Sequence, residues 1–428
     1  MKKLIILITL WILPAFLSAQ NKLDSISLEY CYNQIERSYP LTQKIDLQNK
    51  ITALNEQISR SGMYPEIQVN ASASYQSDVT EVPFSAPGTT PTQFSKDHYK
   101  LSLDVSQVIY DGGKTQALRE LEKGQGAAED AGVKTDLWNI RRQTEQVYFG
   151  ILMLQKKKES VELLIAEIEN QLLMVQSRVE NGVLLPSNAL VLEAELLKIK
   201  QERMQVEYDL KASFEVLSEI IGTQISEDAK LMVPQSKVSI DETVSEINRP
   251  ELDLLSKRRN TLLLQQKHSN SDKLPKISAF GTTAYGRPGL NVFEDDLQTY
   301  WIVGVKAQWS FRNWNNSGKR SEVLELQKKK LQYDEDSFLI GVKNEISKSV
   351  QKIEQLREQI TLDEQVLKLR ERITAEKQQQ LDQGVITSTE YLTELTAENR
   401  AKLDLEIRKI QLAQAYIEYS TNKGNTWN

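Results

Sequence analysis

Side chains able to carry covalent or metal chemistry are scarce in this chain and lie far apart. His98 and His268 are the only histidines, and Cys31 is the only cysteine. His98 opens an alternating stretch, whereas His268 ends a helical one. No Cys/His metal spacing, glycine-rich phosphate loop or serine nucleophile elbow occurs. A single cysteine excludes an internal disulfide framework. Cys31 follows Leu28-Glu29-Tyr30 rather than small residues, so it is not placed to receive a lipid and reads as a packing residue. The chain is therefore not read as an enzyme, and no catalytic, cofactor-binding or metal-binding residue is assigned. The chemistry left to it is that of arrays: polar side chains repeated along one wall, and polar groups gathered at glycine-centred turns.

Such a wall is visible in four stretches. Ile67, Val69, Ala71, Ala73 and Tyr75 alternate with Gln68, Asn70, Ser72, Ser74 and Gln76. Tyr99, Leu101, Leu103 and Val105 alternate with Lys100, Ser102, Asp104 and Ser106. Trp301, Val303, Val305, Ala307, Trp309 and Phe311 alternate with Gly304, Lys306, Gln308 and Ser310. The period of two predicts strands over about 66–76, 98–109 and 300–311. A fourth strand, over about 276–286, has a weaker pattern because Phe280 falls on its polar face. Each run is about ten residues, the length a tilted strand needs to cross a bilayer. Aromatic residues gather near the ends, as in the girdles of membrane barrels. Tyr75, Tyr99, Trp301 and Trp309 are expected to face lipid. Gln68, Asn70, Ser72, Lys100, Asp104, Lys306 and Gln308 are expected to face a lumen.

The N-terminus agrees with export. Lys2 and Lys3 precede an apolar run from Leu4 to Leu17, then Ser18-Ala19. This is expected to be a signal peptide over residues 1–19, too short for a membrane span. No later apolar run is long enough for a spanning helix. A net charge of −6 without a dominant basic patch argues against nucleic acid. Four strands cannot close, and open edges are not tolerated in lipid. Several copies would have to complete one barrel, and three would supply twelve strands.

The remainder reads as very long helices. Between Lys114 and Glu180, and again between Lys319 and Gln383, no proline interrupts. The first would span about 100 Å if continuous, although Gly124, Gly126, Gly132 and Gly150 weaken it. Val161, Ile165, Ile168, Leu172, Val175 and Val179 step by four and three, as do Leu362, Val366, Leu369 and Ile373. Both stripes are expected to be coiled-coil seams. Each long helix then meets a tip: Gly182 to Asn188 in one case, Gly384 to Glu390 in the other. The glycines suit helix termination, and Ser187 and Thr387 or Ser388 suit capping of the next helix.

These units are duplicated. Pro65-Glu66-Ile67 is echoed by Pro275-Lys276-Ile277, and Ile35-Glu36-Arg37 before Pro40 is echoed by Ile247-Asn248-Arg249 before Pro250, with the prolines at the same separation in both cases. The expected organisation is a first repeat over 20–222 with a hairpin over about 113–222, and a polar linker over 223–247. A second repeat follows over 248–422 with a hairpin over about 318–422, then a tail over 423–428.

The ordered set resembles the TolC-type outer-membrane efflux proteins across essentially the whole mature chain. The resemblance is carried by Arg249-Pro250-Glu251-Leu252, by both glycine-centred tips, and by the strand exits Tyr110-Asp111-Gly112-Gly113-Lys114 and Trp314-Asn315-Asn316-Ser317-Gly318-Lys319. It implies a mostly α protein with a β-barrel part. The implied assembly is a homotrimer, with a twelve-stranded barrel among outer-membrane lipid and a helical coiled-coil tunnel in the periplasm of a Gram-negative cell. It also implies a passive conduit for efflux or secretion, whose tips dock a periplasmic adaptor (membrane fusion) protein and an inner-membrane pump. Gly182, Pro186, Asn188, Gly384, Thr387 and Tyr391 are the docking residues expected on that basis. In the family an acidic residue six positions past the tip glycine rings the constriction; Glu390 holds that place, whereas the first tip has Asn188. The family tyrosine three residues before the second glycine is Leu381 here. The rival expectation is a secreted coiled-coil scaffold or adaptor without its own barrel.

Overall fold

The computed structural model describes residues 25–79, 94–234, 247–291 and 294–425. The expected signal peptide lies outside them, as does part of the expected linker. In chain order the elements are β1 (Ser25–Ile26), α1 (Leu28–Ser38), α2 (Pro40–Ser61), β2 (Glu66–Tyr75), β3 (Asp97–Tyr110), α3 (Lys114–Glu180), α4 (Pro186–Ile221), β4 (Lys230–Leu231), α5 (Pro250–Ser271), β5 (Lys276–Arg287), β6 (Gln298–Gln308), α6 (Phe311–Asp382) and α7 (Ser388–Lys423). They divide between two compact units. One collects residues up to 38, 141–238 and 351–417, and the other 39–140, 239–350 and 418 onward.

The second of these units holds a four-stranded antiparallel sheet of order β2-β3-β5-β6. Register places Ile67 opposite Val105, Val69 opposite Leu103, and Thr283 opposite Trp301, so the apolar residues share one face. That face is bare. Val69 is 69% exposed, Trp301 70% and Val303 69%. On the other face Asp104 accepts hydrogen bonds from Asn70 Nδ2 (2.8 Å), Ser102 Oγ (2.8 Å) and Thr282 Oγ1 (2.5 Å). Strands β2 and β6 are edges, each paired on one side only.

One sequence expectation needs correction here. The strand expected over about 300–311 stops at Gln308, because its partner β5 begins at Lys276 and offers nothing further to pair. Trp309 instead donates its indole N–H to the Lys273 carbonyl at 2.9 Å, and Phe311 opens α6. Trp309 packs against Phe311 and Trp314, with ring centroids at 4.7 and 6.2 Å. Phe280 does sit on the polar face, but opposite Gly304, whose missing side chain leaves room for the ring.

The glycines of α3 do not break it. A Cβ at Gly124 would fall 2.5 Å from Leu264 Cδ1, and one at Gly126 2.2 Å from Thr52 Oγ1. They permit α5 and α2 to approach closely, which outweighs the roughly 1 kcal/mol helix cost of a glycine. Asn55 Nδ2 to Glu122 (2.9 Å) and Thr261 Oγ1 to the Gly124 carbonyl (3.1 Å) fix the same contacts. The Arg249 side chain is buried, gripped by Glu251 through Nε (3.0 Å) and Nη2 (2.5 Å), with the Phe338 ring 5.6 Å away.

In the other unit, β1 pairs in parallel with β4. Part of the segment expected to be a polar linker is thus structured, with Ala229 and Leu231 buried. Tyr148, fully buried, places its hydroxyl 2.8 Å from the Ile26 carbonyl and 2.7 Å from that of Met232. Tyr32 donates to Glu145 at 2.7 Å beneath the Arg141 guanidinium, 3.7 Å from the ring centre. Burial pushes the Cys31 thiol up to about 12. Cys31 is thus inert packing, since the thiolate is the reactive form. A maleimide reagent at pH 8 is expected to modify native protein at least about a hundredfold more slowly than urea-unfolded protein. Equal rates, read by mass spectrometry, would mean that α1 is not packed.

Candidate functional site

Both helical turns are built by one backbone device. Gly182 and Gly384 each take φ 73°. At the first turn, Gly182 N–H donates to Val179 O (3.0 Å) and Val183 N–H to Arg178 O (2.8 Å). At the second, Gly384 N–H donates to Leu381 O (3.0 Å) and Val385 N–H to Gln380 O (2.9 Å). These are two Schellman closures, which glycine enters without Cβ strain.

The helices that follow start differently. Thr387 caps α7, its Oγ1 accepting from the Glu390 N–H at 3.3 Å. The cap expected at Ser187 is absent: α4 begins at Pro186 after Leu185, with no side-chain cap. Proline at the first helical position lacks an N–H and is already set at the helical φ, so one fewer donor needs capping. Asn188 instead reaches the neighbouring turn, where its Oδ1 accepts from the Ser388 N–H at 3.1 Å. The position where the first tip lacks a carboxylate thus carries an amide that helps cap the second hairpin.

The seam expected on α3 is real. Val161, Leu164, Ile165, Ile168 and Val175 are buried with Ala189, Leu192, Leu196 and Ile199 of α4, Leu381 of α6, and Tyr391, Leu392 and Leu395 of α7. The matching stripe on α6 is not buried: Leu362 is 59% exposed and Leu369 58%. The same is true of Leu190, Leu197 and Met204 on α4. Equal spacing therefore has unequal outcomes, because only one stripe finds its partner within the chain.

Polar contacts join α3 to the second hairpin beside this core. Arg178 Nη2 meets Asp382 at 2.9 Å and its Nη1 donates to the Leu381 carbonyl at 3.1 Å. Gln171 Nε2 donates to Gln378 Oε1 at 2.6 Å. Tyr391 OH donates to Glu167 at 3.3 Å. Burial, then the Glu167 carboxylate, pushes this phenol well above its ordinary value, so it remains a neutral donor.

Tyr391 had been expected at a docking surface, but it is only 2% exposed and points into the helix core. Glu390, Thr387, Gly384, Gly182 and Pro186 are exposed, while Asn188 is half-buried. Leu381 is buried. Arg178, Glu167 and Gln171 were missed from sequence because each is a polar residue on a charged helix surface, with no local signal of its partner. Removing the exposed Arg178 pair is expected to cost about 0.2–1 kcal/mol. In Arg178→Ala, amide exchange at Gly384 and Val385 should quicken up to about fivefold, with exchange at the buried Ile168 unchanged. An unaltered rate at the turn would show that this pair does not hold it.

Comparison with known proteins gives a consistent result. Residues 50–223 match the family described as outer membrane efflux protein. The outer membrane protein TolC of Vibrio cholerae is 24% identical over 287 residues, which is 64% of this chain and 63% of that protein's length. Among solved structures, the CmeC outer membrane channel of Campylobacter jejuni aligns with TM-score 0.69 and 14% identity, covering 93% of this chain and 85% of the other. The outer membrane protein VceC of Vibrio cholerae aligns with TM-score 0.70 and 14% identity, over 94% and 97%. The chain shares their fold.

Proposed function

We propose that the chain is an outer-membrane efflux protein of the TolC type, located in the Gram-negative outer membrane with a large periplasmic part, and that it forms a passive trimeric conduit for substrates delivered by an inner-membrane pump; the family match over residues 50–223 and the likeness to the Vibrio cholerae TolC support this reading. The observation that carries this reading is the bare sheet. Among the described residues, a face of Ile67, Val69, Trp301, Val303 and Val305 has no cover, and both sheet edges are unpaired. Lipid solvates such a face, and closure by further copies satisfies the edges. Three copies give a barrel of twelve strands, with Gln68, Asn70, Ser72, Lys100, Asp104, Lys306 and Gln308 on its wet inner wall. Tyr75, Tyr99 and Trp301 then face lipid, and Trp309 anchors the strand end.

The exposed heptads on α4 and α6 support the same copy number logic. They have the spacing of coiled-coil seams and lack partners within the chain. Packed against the next copies, they close the tunnel.

Gating belongs to the paired turns. Arg178–Asp382, Asn188–Ser388 and Tyr391–Glu167 hold each second hairpin to its first. Each is worth on the order of 1 kcal/mol, and three chains repeat them. An adaptor must favour the splayed tips by about 5.5 kcal/mol to shift a 1:99 population to 99:1. A modest set of contacts therefore makes a gate that binding energy can open. Exposed Glu390, in the first turn of α7, supplies a threefold carboxylate ring at the entrance. Such a ring attracts cations while its members repel one another.

Detergent-extracted mature protein in a planar bilayer is expected to give small, persistent, cation-biased conductance. Glu390→Ala should reduce the bias, and Arg178→Ala should raise the conductance. Protein released from membranes by carbonate without detergent would overturn the channel reading. Unchanged selectivity in Glu390→Ala would remove that residue from the constriction.

A further inference from the structure

The polar face of the sheet carries one apolar anomaly beside two uncommitted cations. Phe280 breaks the alternation of β5, and its ring lies over the backbone of Gly304, directly across on β6. A Cβ at Gly304 would come within 2.8 Å of Phe280 Cζ and 2.9 Å of Cε1, so any other residue there would displace the ring. An aromatic ring laid over a strand glycine is a known way to stabilise a sheet, and that accounts for where the ring rests. It does not account for the neighbours.

Lys306 stands opposite Ser278 and Lys276 opposite Gln308, both on the face that bears Phe280. Lys306 is therefore diagonal to the ring, roughly 7–8 Å away between backbones. Both lysines are exposed, and neither has an ion pair among the described residues. Two carboxylates share this face, and each accepts from neutral donors. Asp104 accepts from Asn70, Ser102 and Thr282, and Glu66 accepts from Gln68 at 2.7 Å. All of these side chains except Asn70, Ser102 and Gln68 line one cavity of about 1000 Å³, whose remaining wall includes Tyr64 and Val108. That volume is at the upper end of small-ligand sites, which combine an apolar platform with a few convergent polar groups.

We propose that Phe280, Lys276 and Lys306 form a subsite for aromatic organic anions on the inner wall of the barrel. The ring stacks on the flat face of the ligand, and the two ammonium groups take its acidic substituents. The subsite's place in transport rests on the channel reading, but its binding chemistry does not.

Naphthalene disulfonate, a rigid aromatic dianion, is the probe. Equilibrium dialysis against the full-length mature chain in neutral detergent should give saturable, salt-sensitive binding. The double variant Lys276→Gln/Lys306→Gln and the single variant Phe280→Ala should each weaken it by about tenfold or more. Lys276→Arg/Lys306→Arg keeps both charges and should retain binding, which separates loss of charge from loss of fold. A naphthyl trimethylammonium cation should not bind saturably. No saturable binding of the disulfonate, equal affinity across the variants, or equal binding of the cation would each overturn the subsite. Bilayer conductance recorded on the same preparation separates the two readings. Conductance without disulfonate binding sinks the subsite alone, and binding without conductance sinks the channel alone.

Discussion

The structure turns on an unsatisfied sheet. Four antiparallel strands present a continuous apolar face that none of the described residues covers, bounded by two edges unpaired among those residues. In water, that surface and those edges would drive aggregation. In a bilayer the face is solvated, but the edges become more costly, because lipid offers no hydrogen bonds. Only closure with further copies relieves both demands. The proposed trimer is thus the condition under which this sheet is a stable object.

The helices follow a parallel logic. Periodic apolar stripes run along α3, α4 and α6, but only the α3 stripe is consumed within the chain, by the core it shares with α4, α6 and α7. The stripes left exposed on α4 and α6 are the helical counterpart of the open edges. A single chain is incomplete at both levels. Its buried core is confined largely to the hairpin interior and to the cluster around Tyr148, Cys31 and Phe214.

The paired turns combine firm backbone closures with weak ties, as the proposed gate requires. Their backbone closures are identical and rigid, set by glycines at φ 73°. Between them run contacts of modest strength: an exposed ion pair, an amide accepting one backbone N–H, and a phenol on a carboxylate. Leu381 is buried in the core, and the hydroxyl at this level comes from Tyr391, at the start of the returning helix.

The sequence by itself determined what depends on near neighbours. Alternation along Ile67 to Tyr75 specified a strand and its two faces. Glycine at 182 and 384 specified where helices end. The duplicated Pro65 and Pro275 segments specified the order of elements. Tertiary structure decided every question about partners distant in the chain. It selected which heptad stripe is buried, sent Tyr391 inward to Glu167, paired β1 with β4 across the chain, ended β6 where β5 runs out, and laid Phe280 over Gly304. The physical reason is that periodicity fixes the direction in which a side chain points, which is a local property of the backbone. What it meets there depends on the packing of elements far away in sequence, and a polar residue such as Arg178 carries no mark of its partner until that packing exists.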